Sequence, residues 1–186
     1  MRRRERKAVE RAVEQARRTG PADTAAALSD AGEAYREAGD QDEALHCFHQ
    51  ALALYGELDD VQGQLVVLTK VALVQRAAER FTDAADAYQQ ALALSVALDW
   101  QTVTPLLQLK VRAMAAAETA GIDVPDQLIE SAASAGPGRM WVYEVDDNLV
   151  PKGATQIPAQ AIKRGWEVDD GELTGLIIPN VNYRPR

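Results

Sequence analysis

The sequence predicts a mainly α-helical chain: antiparallel helix pairs stacked into a solenoid, followed by a small appendage that contains a β-hairpin. Three observations predict it. A stretch of the chain repeats itself 40 residues further on. Alanine is abundant and aromatic residues make up only 5%, which suits close-packed helices better than a sandwich or barrel. Helical periodicity stops at Gly136-Pro137-Gly138, after which β-branched and aromatic runs begin.

The N-terminal region, residues 1–20, reads as a basic helix. Arg4–Arg18 carries apolar Ala8, Val9, Ala12, Val13 and Ala16 at helical spacing, and Gly20-Pro21 ends it. These 20 residues hold eight basic and three acidic side chains, +5, which leaves -13 for the rest of a chain of net charge -8. No apolar run follows Met1-Arg2-Arg3-Arg4-Glu5-Arg6-Lys7, so this start is not read as a secretion signal. Nor does any stretch approach the roughly 18 apolar residues of a membrane span, and the expected location is the cytoplasm. The single cysteine, Cys47, excludes an internal disulfide. An acidic body repels nucleic acid and anionic membranes, so neither is the expected partner.

Residues 21–135 form the repeat region. Ala38–Leu54 aligns on Ala78–Leu94, with Ala44 on Ala84, Phe48 on Tyr88, Ala51 on Ala91, and Leu52-Ala53-Leu54 on Leu92-Ala93-Leu94. This spacing of small, aromatic and small residues resembles the second helix of a tetratricopeptide repeat. Ala25–Ala38, with Leu28, Gly32 and Tyr35, resembles the first helix; Leu68, Ala72 and Gln75 hold those places in repeat two, without the aromatic. Gly56 stands near the point where the family often has proline. The resemblance covers about residues 22–120 and implies a tetratricopeptide-like α-α superhelix of a long, 40-residue variant. A third unit begins near Pro105, with a helix through Glu118 and a short one at Gln127–Ser134, and reads as a terminal cap. Ala44 and Ala51 let paired helices approach, while Phe48 and Tyr88 are expected to fill the gap to the next pair. The residues beyond the usual repeat length, near Tyr55–Gln64, lengthen helices or their connection. Asp40 and Thr82 are the expected helix N-caps.

Residues 136–186 form the appendage. Met140–Val145, Trp166–Asp169 and Glu172–Ile178 read as strands, and Asp170-Gly171 between the last two is a strong hairpin signal. Pro158–Arg164 is expected to form a short helix. The tail from Gly165 through Pro179-Asn180 and Tyr183-Arg184-Pro185 resembles the ends of actinobacterial proteins associated with type VII secretion; it carries no catalytic residue.

Little in the chain points to chemistry. His46, Cys47 and His49 are the only grouped candidates, and no other histidine or cysteine exists to complete a zinc site. Alignment places them on outward second-helix positions. The pairs Asp59-Asp60, Asp146-Asp147 and Asp169-Asp170 fall in turns, where solvation explains them. There is no phosphate-binding glycine loop. The expectation is a protein without enzymatic activity, cofactor or metal.

What the resemblance implies is partner binding. In the family, first helices line a concave groove, which here places Ser29, Glu33, Arg36 and Glu37 on that surface from repeat one. Val66, Thr69, Leu73 and Arg76 follow from repeat two, and Leu106, Leu109 and Ala113 from the cap helix. The expected function is an interaction adaptor or scaffold holding a peptide or helix of a protein partner. The alternative is a regulatory subunit in bacterial transcription, signalling or secretion that acts through a partner. Self-association stays open. Ser29 and Glu33 stand where repeats that grip chaperone C-termini have lysine and asparagine, so a carboxylate clamp is not expected. The appendage is an alternative cover for Leu73, Leu106 and Leu109.

Overall fold

The chain opens on α1 (Arg3–Ala16) and then repeats one helical unit with a fixed length. Helices α2 (Pro21–Glu37), α3 (Gln41–Glu57), α4 (Val61–Ala77) and α5 (Phe81–Ala97) each have 17 residues, about 25 Å of helix at 1.5 Å per residue. The residues that lengthen the repeat have thus gone into the helices. The computed structural model describes residues 3–183. Met1 and Arg2 of the basic start, and Arg184 and Pro185 of the tail, lie outside the described residues.

The C-terminal endings of α2 to α5 are built by backbone geometry rather than by one residue type, and the connectors after α2, α3 and α4 have three residues each. The amides of Asp40, Asp60, Arg80 and Trp100 donate to the carbonyls of Tyr35, Tyr55, Gln75 and Ser95, each at 2.9 Å. The residues just before them, Gly39, Asp59, Glu79 and Asp99, have φ of 78°, 55°, 58° and 53°. This is the Schellman ending, in which one left-handed residue satisfies the last orphan carbonyls. Asp40, Asp60 and Arg80, each of which closes one helix, then serve as the N-cap of the next. Thr82 is not a cap: α5 starts at Phe81 after Arg80. Asp40 occupies a cap position but makes no side-chain cap bond. Asp60 does, its Oδ1 accepting from the Gly63 amide at 2.8 Å.

Small residues set the separation within pairs. Ala44, Ala51, Ala84 and Ala91 are fully buried. At Gly32 a Cβ would come 2.5 Å from the Phe48 ring, so Phe48 fills space inside its own pair as well as meeting the next one through Lys70, whose Nζ is 5.8 Å from the ring centroid. The same arrangement recurs one repeat on, with Lys110 Nζ 5.8 Å from the Tyr88 centroid. At the other end, α1 packs on α2. Arg6 pairs with Glu43 at 2.9 Å and lies over the Tyr35 ring.

The chain divides into two units, residues 1–111 and 112–186, with the division falling inside α6 (Thr104–Ala120). The second unit adds α7 (Asp126–Ala133) and an antiparallel sheet of order β1 (Arg139–Val145), β2 (Ile162–Asp169), β3 (Glu172–Pro179). Asp170 and Gly171 both have positive φ, 49° and 81°, as the primed two-residue hairpin turn requires. Trp166 and Val168 are fully buried, and α7 packs against β1 and β3. The register of β2 on β3 slips at Trp166/Val168. There Gly175, at φ 84°, lets β3 approach Thr119 and the Ala116 carbonyl of α6. Arg112 pairs with Glu172 at 2.7 Å. The helix expected over Pro158–Arg164 is only a single 3-10 turn, Ala159–Ala161, because Ile162 already enters the sheet.

Candidate functional site

The face built by the first helices is formed in the first unit by α2 and α4. On α4, Val66, Thr69, Leu73 and Arg76 stand at i, i+3, i+7 and i+10 and so share one side of the helix. Val66 is 41% and Leu73 38% exposed, high for branched apolar residues on a helix whose other side is core. Thr69 spends its hydroxyl on its own helix, donating to the Val66 carbonyl at 2.7 Å. Arg76 is half-buried.

On α2, Glu33 and Arg36 are joined: Arg36 Nε donates to both Glu33 carboxylate oxygens, at 2.9 and 3.1 Å. Both are half-buried and Glu37 is exposed. Ser29 is not part of the open surface. It is buried, and its Oγ accepts from Lys70 Nζ at 3.0 Å, a bond that ties α2 to α4. A depression of about 230 Å³ lies beside it, lined by Ser29, Tyr55, Asp60, Gly63, Val66 and Val67.

Leu106 is 46% exposed and Leu109 half-buried, both on α6. The described contacts of α6 within the first unit run to α5: Thr104 Oγ1 lies 2.9 Å from Ser95 Oγ, and Lys110 covers Tyr88. Ala113 is buried and cannot serve as surface.

The histidine and cysteine group separates. His46 and His49 are exposed, and His46 Nε2 meets Gln50 Nε2 at 2.6 Å. Cys47 faces inward rather than outward and is buried beside α1, next to Leu28, Ala31 and Tyr35 around a cavity of about 240 Å³. Burial pushes its thiol above the ordinary value, and the Glu43 charge adds to that. Among the described residues no group of three metal-ligating side chains forms.

In the second unit, a cavity of about 620 Å³ opens between α7 and β1, with Leu128, Glu144, Asp146 and Lys163 among its lining. Three of its charged side chains, Glu144, Asp146 and Lys163, are already engaged. Glu144 pairs with Lys163 at 3.3 Å and Arg164 at 3.0 Å. Asp146 accepts from Tyr183 Oη at 3.0 Å and from the Asn148 amide at 3.1 Å, which hold its carboxyl below the usual range.

Two features were missed by reading the sequence. Lys70 and Lys110 stand 40 residues apart under the same alignment that pairs Phe48 with Tyr88, and that alignment was the available signal. The burial of Cys47 follows from the docking of α1 on α2 and had no local signature. Among the described residues no helix is long and apolar enough to cross a membrane.

Residues 6–57 match the family model for the tetratricopeptide repeat. That match takes in most of α1, all of α2 and all of α3. No curated protein and no solved structure matches the chain.

Proposed function

Because this chain is a tetratricopeptide-repeat protein, we propose that it acts by holding a peptide or helix of a partner protein against the α2–α4 face. Such repeats generally mediate protein–protein interaction. The observation that carries the finer reading is the line of Val66, Leu73 and Arg76 on α4: two exposed branched apolar residues and a cation on one helix side. An apolar stripe flanked by charge suits an amphipathic helix or an extended apolar peptide. Lys70 and Ser29 brace the two helices that present it.

The reading assigns no catalytic role. An activated thiol needs a lowered pKa and access, whereas Cys47 is buried and shifted upward. A regulatory subunit would use the same face, and the identity of the captured protein separates that case from a scaffold.

Leu73→Asp tests the assignment. It puts a charge at the centre of the stripe while leaving the core untouched, and loss of such an anchor costs about 2 kcal/mol, roughly thirtyfold in affinity. Capture of a partner by the intact chain is expected to fail with Leu73→Asp and to persist with Thr82→Asp, an exposed change on α5. Equal capture by both variants would remove the face from consideration.

A further inference from the structure

We propose that the chain self-associates through charge, with α1 of one copy lying on α2 of another. The argument starts from the two sides of α1. At about 100° per residue, Val9, Val13 and Ala16 point one way and Arg4, Lys7 and Arg11 the opposite way, the last three within about 60° of each other. Val9, Val13 and Ala16 are half-buried, and Arg3, Arg4, Lys7 and Arg11 are exposed. Arg6 belongs to the docking side, where Glu43 and Tyr35 hold it.

The second stripe is on α2. Asp23, Asp30 and Glu37 are seven residues apart, all exposed, and share one side of the helix. Arg4 and Arg11 have the same seven-residue spacing. Among the described residues, no ion pair joins Arg4, Lys7, Arg11, Asp23, Asp30 or Glu37 to the rest of the chain. The molecule therefore presents a cationic stripe of Arg4, Lys7 and Arg11, followed on the same side by Glu14, which pairs with Arg17 and Arg18, and an anionic stripe of matched period on α2.

Charge complementarity selects a second copy over other anions. No aromatic residue lies in α1 and its valines face inward, so it lacks the means to stack on bases or enter a bilayer. A long polyanion laid on α1 also meets the -13 of residues 21–186. A second copy carries the same net charge of -8, but its acidity is spread over the surface and screened beyond about 10 Å, while the two stripes attract at close range. The inference goes beyond the partner reading; Glu37 alone is shared with that surface.

The experiment is light scattering after size exclusion on the full chain at rising concentration, in about 50 mM and about 500 mM salt, where screening shortens from above 10 Å to below 5 Å. Association is expected at low salt and dissociation at high salt. Variant one carries Arg4→Glu, Lys7→Glu and Arg11→Glu; variant two carries Asp23→Arg, Asp30→Arg and Glu37→Arg. All six positions are exposed, and circular dichroism confirms that each variant folds. Each alone is expected to associate at least about tenfold more weakly. Mixing them restores attraction at both contacts, so only the mixture recovers the dimer. A monomer at every salt and concentration overturns the proposal. So does association that ignores salt, or a mixture that stays apart.

Discussion

Gly32 and Ala72 occupy the same place in consecutive repeats, yet only the first is compelled by its neighbour. The Phe48 ring lies where a Cβ on residue 32 would sit, 2.5 Å away, and Phe48 has no exposed surface through which to retreat. Gly32→Ala is therefore expected to destabilise by about 1–3 kcal/mol despite its better helix propensity, seen as a lower urea midpoint at unchanged slope. A neutral or stabilising result would mean that the ring can move. Cys47 makes a second statement at this scale, about pH. Its folded pKa is raised by burial above the ordinary 9.0, so the unfolded thiol ionises first. The stability it contributes is complete below that ordinary value and is lost as the pH rises towards the folded one. Tyr35 and Tyr55, also raised by burial, extend the loss further up. Urea unfolding at pH 10 is expected to show a lower midpoint than at pH 8, and Cys47→Ala a smaller drop between the two.

At the scale of elements, the connectors show how much was legible and why. Ala44, Phe48 and Ala51 with their counterparts announced second helices because close packing permits few side chains at those sites. Asp170-Gly171 announced the hairpin because two successive positive φ values exclude most residues. The 20-residue period went unread because Gly39, Asp59, Glu79 and Asp99 fill one backbone role with three chemistries. On the candidate face, Leu73 and Val66 were readable from alignment, since exposure follows helix side. Ser29 was not, because its burial depends on where a lysine 41 residues away reaches. The connector geometry carries its own prediction. Glutamate at φ 58° pays a left-handed penalty that glycine avoids. Glu79→Gly is expected to stabilise by about 0.5–1 kcal/mol after the added flexibility of the unfolded chain, and Gly39→Ala to destabilise by a similar amount. Thermal unfolding of the two variants checks both signs.

Across the whole molecule, the charge is shared evenly while the cores are separate. Residues 1–111 hold 13 basic and 17 acidic side chains, and residues 112–186 hold 7 and 11. The first unit's core is alanine with Phe48, Tyr88 and aliphatics; the second has its own centre in Trp166, Val168, Leu128 and Ile129. In a solenoid each helix pair meets only its neighbours, so stability sums locally rather than cooperating over the full length. The sheet is held by non-local pairings of a different kind. Two cores of different composition are expected to melt at different denaturant concentrations, against the two-state rule for single small domains. The tryptophans allow this to be read. Trp141 and Trp166 lie in the second unit and Trp100 in the first, so a Trp100→Phe variant restricts indole fluorescence to the sheet. Helical dichroism at the same time follows mainly α1 to α5. The two signals are expected to give distinct midpoints in urea, and Gly32→Ala should shift the dichroism midpoint while leaving the fluorescence midpoint in place. Coincident curves that move together would instead mean that α6, which runs across the division, couples both cores into one cooperative block.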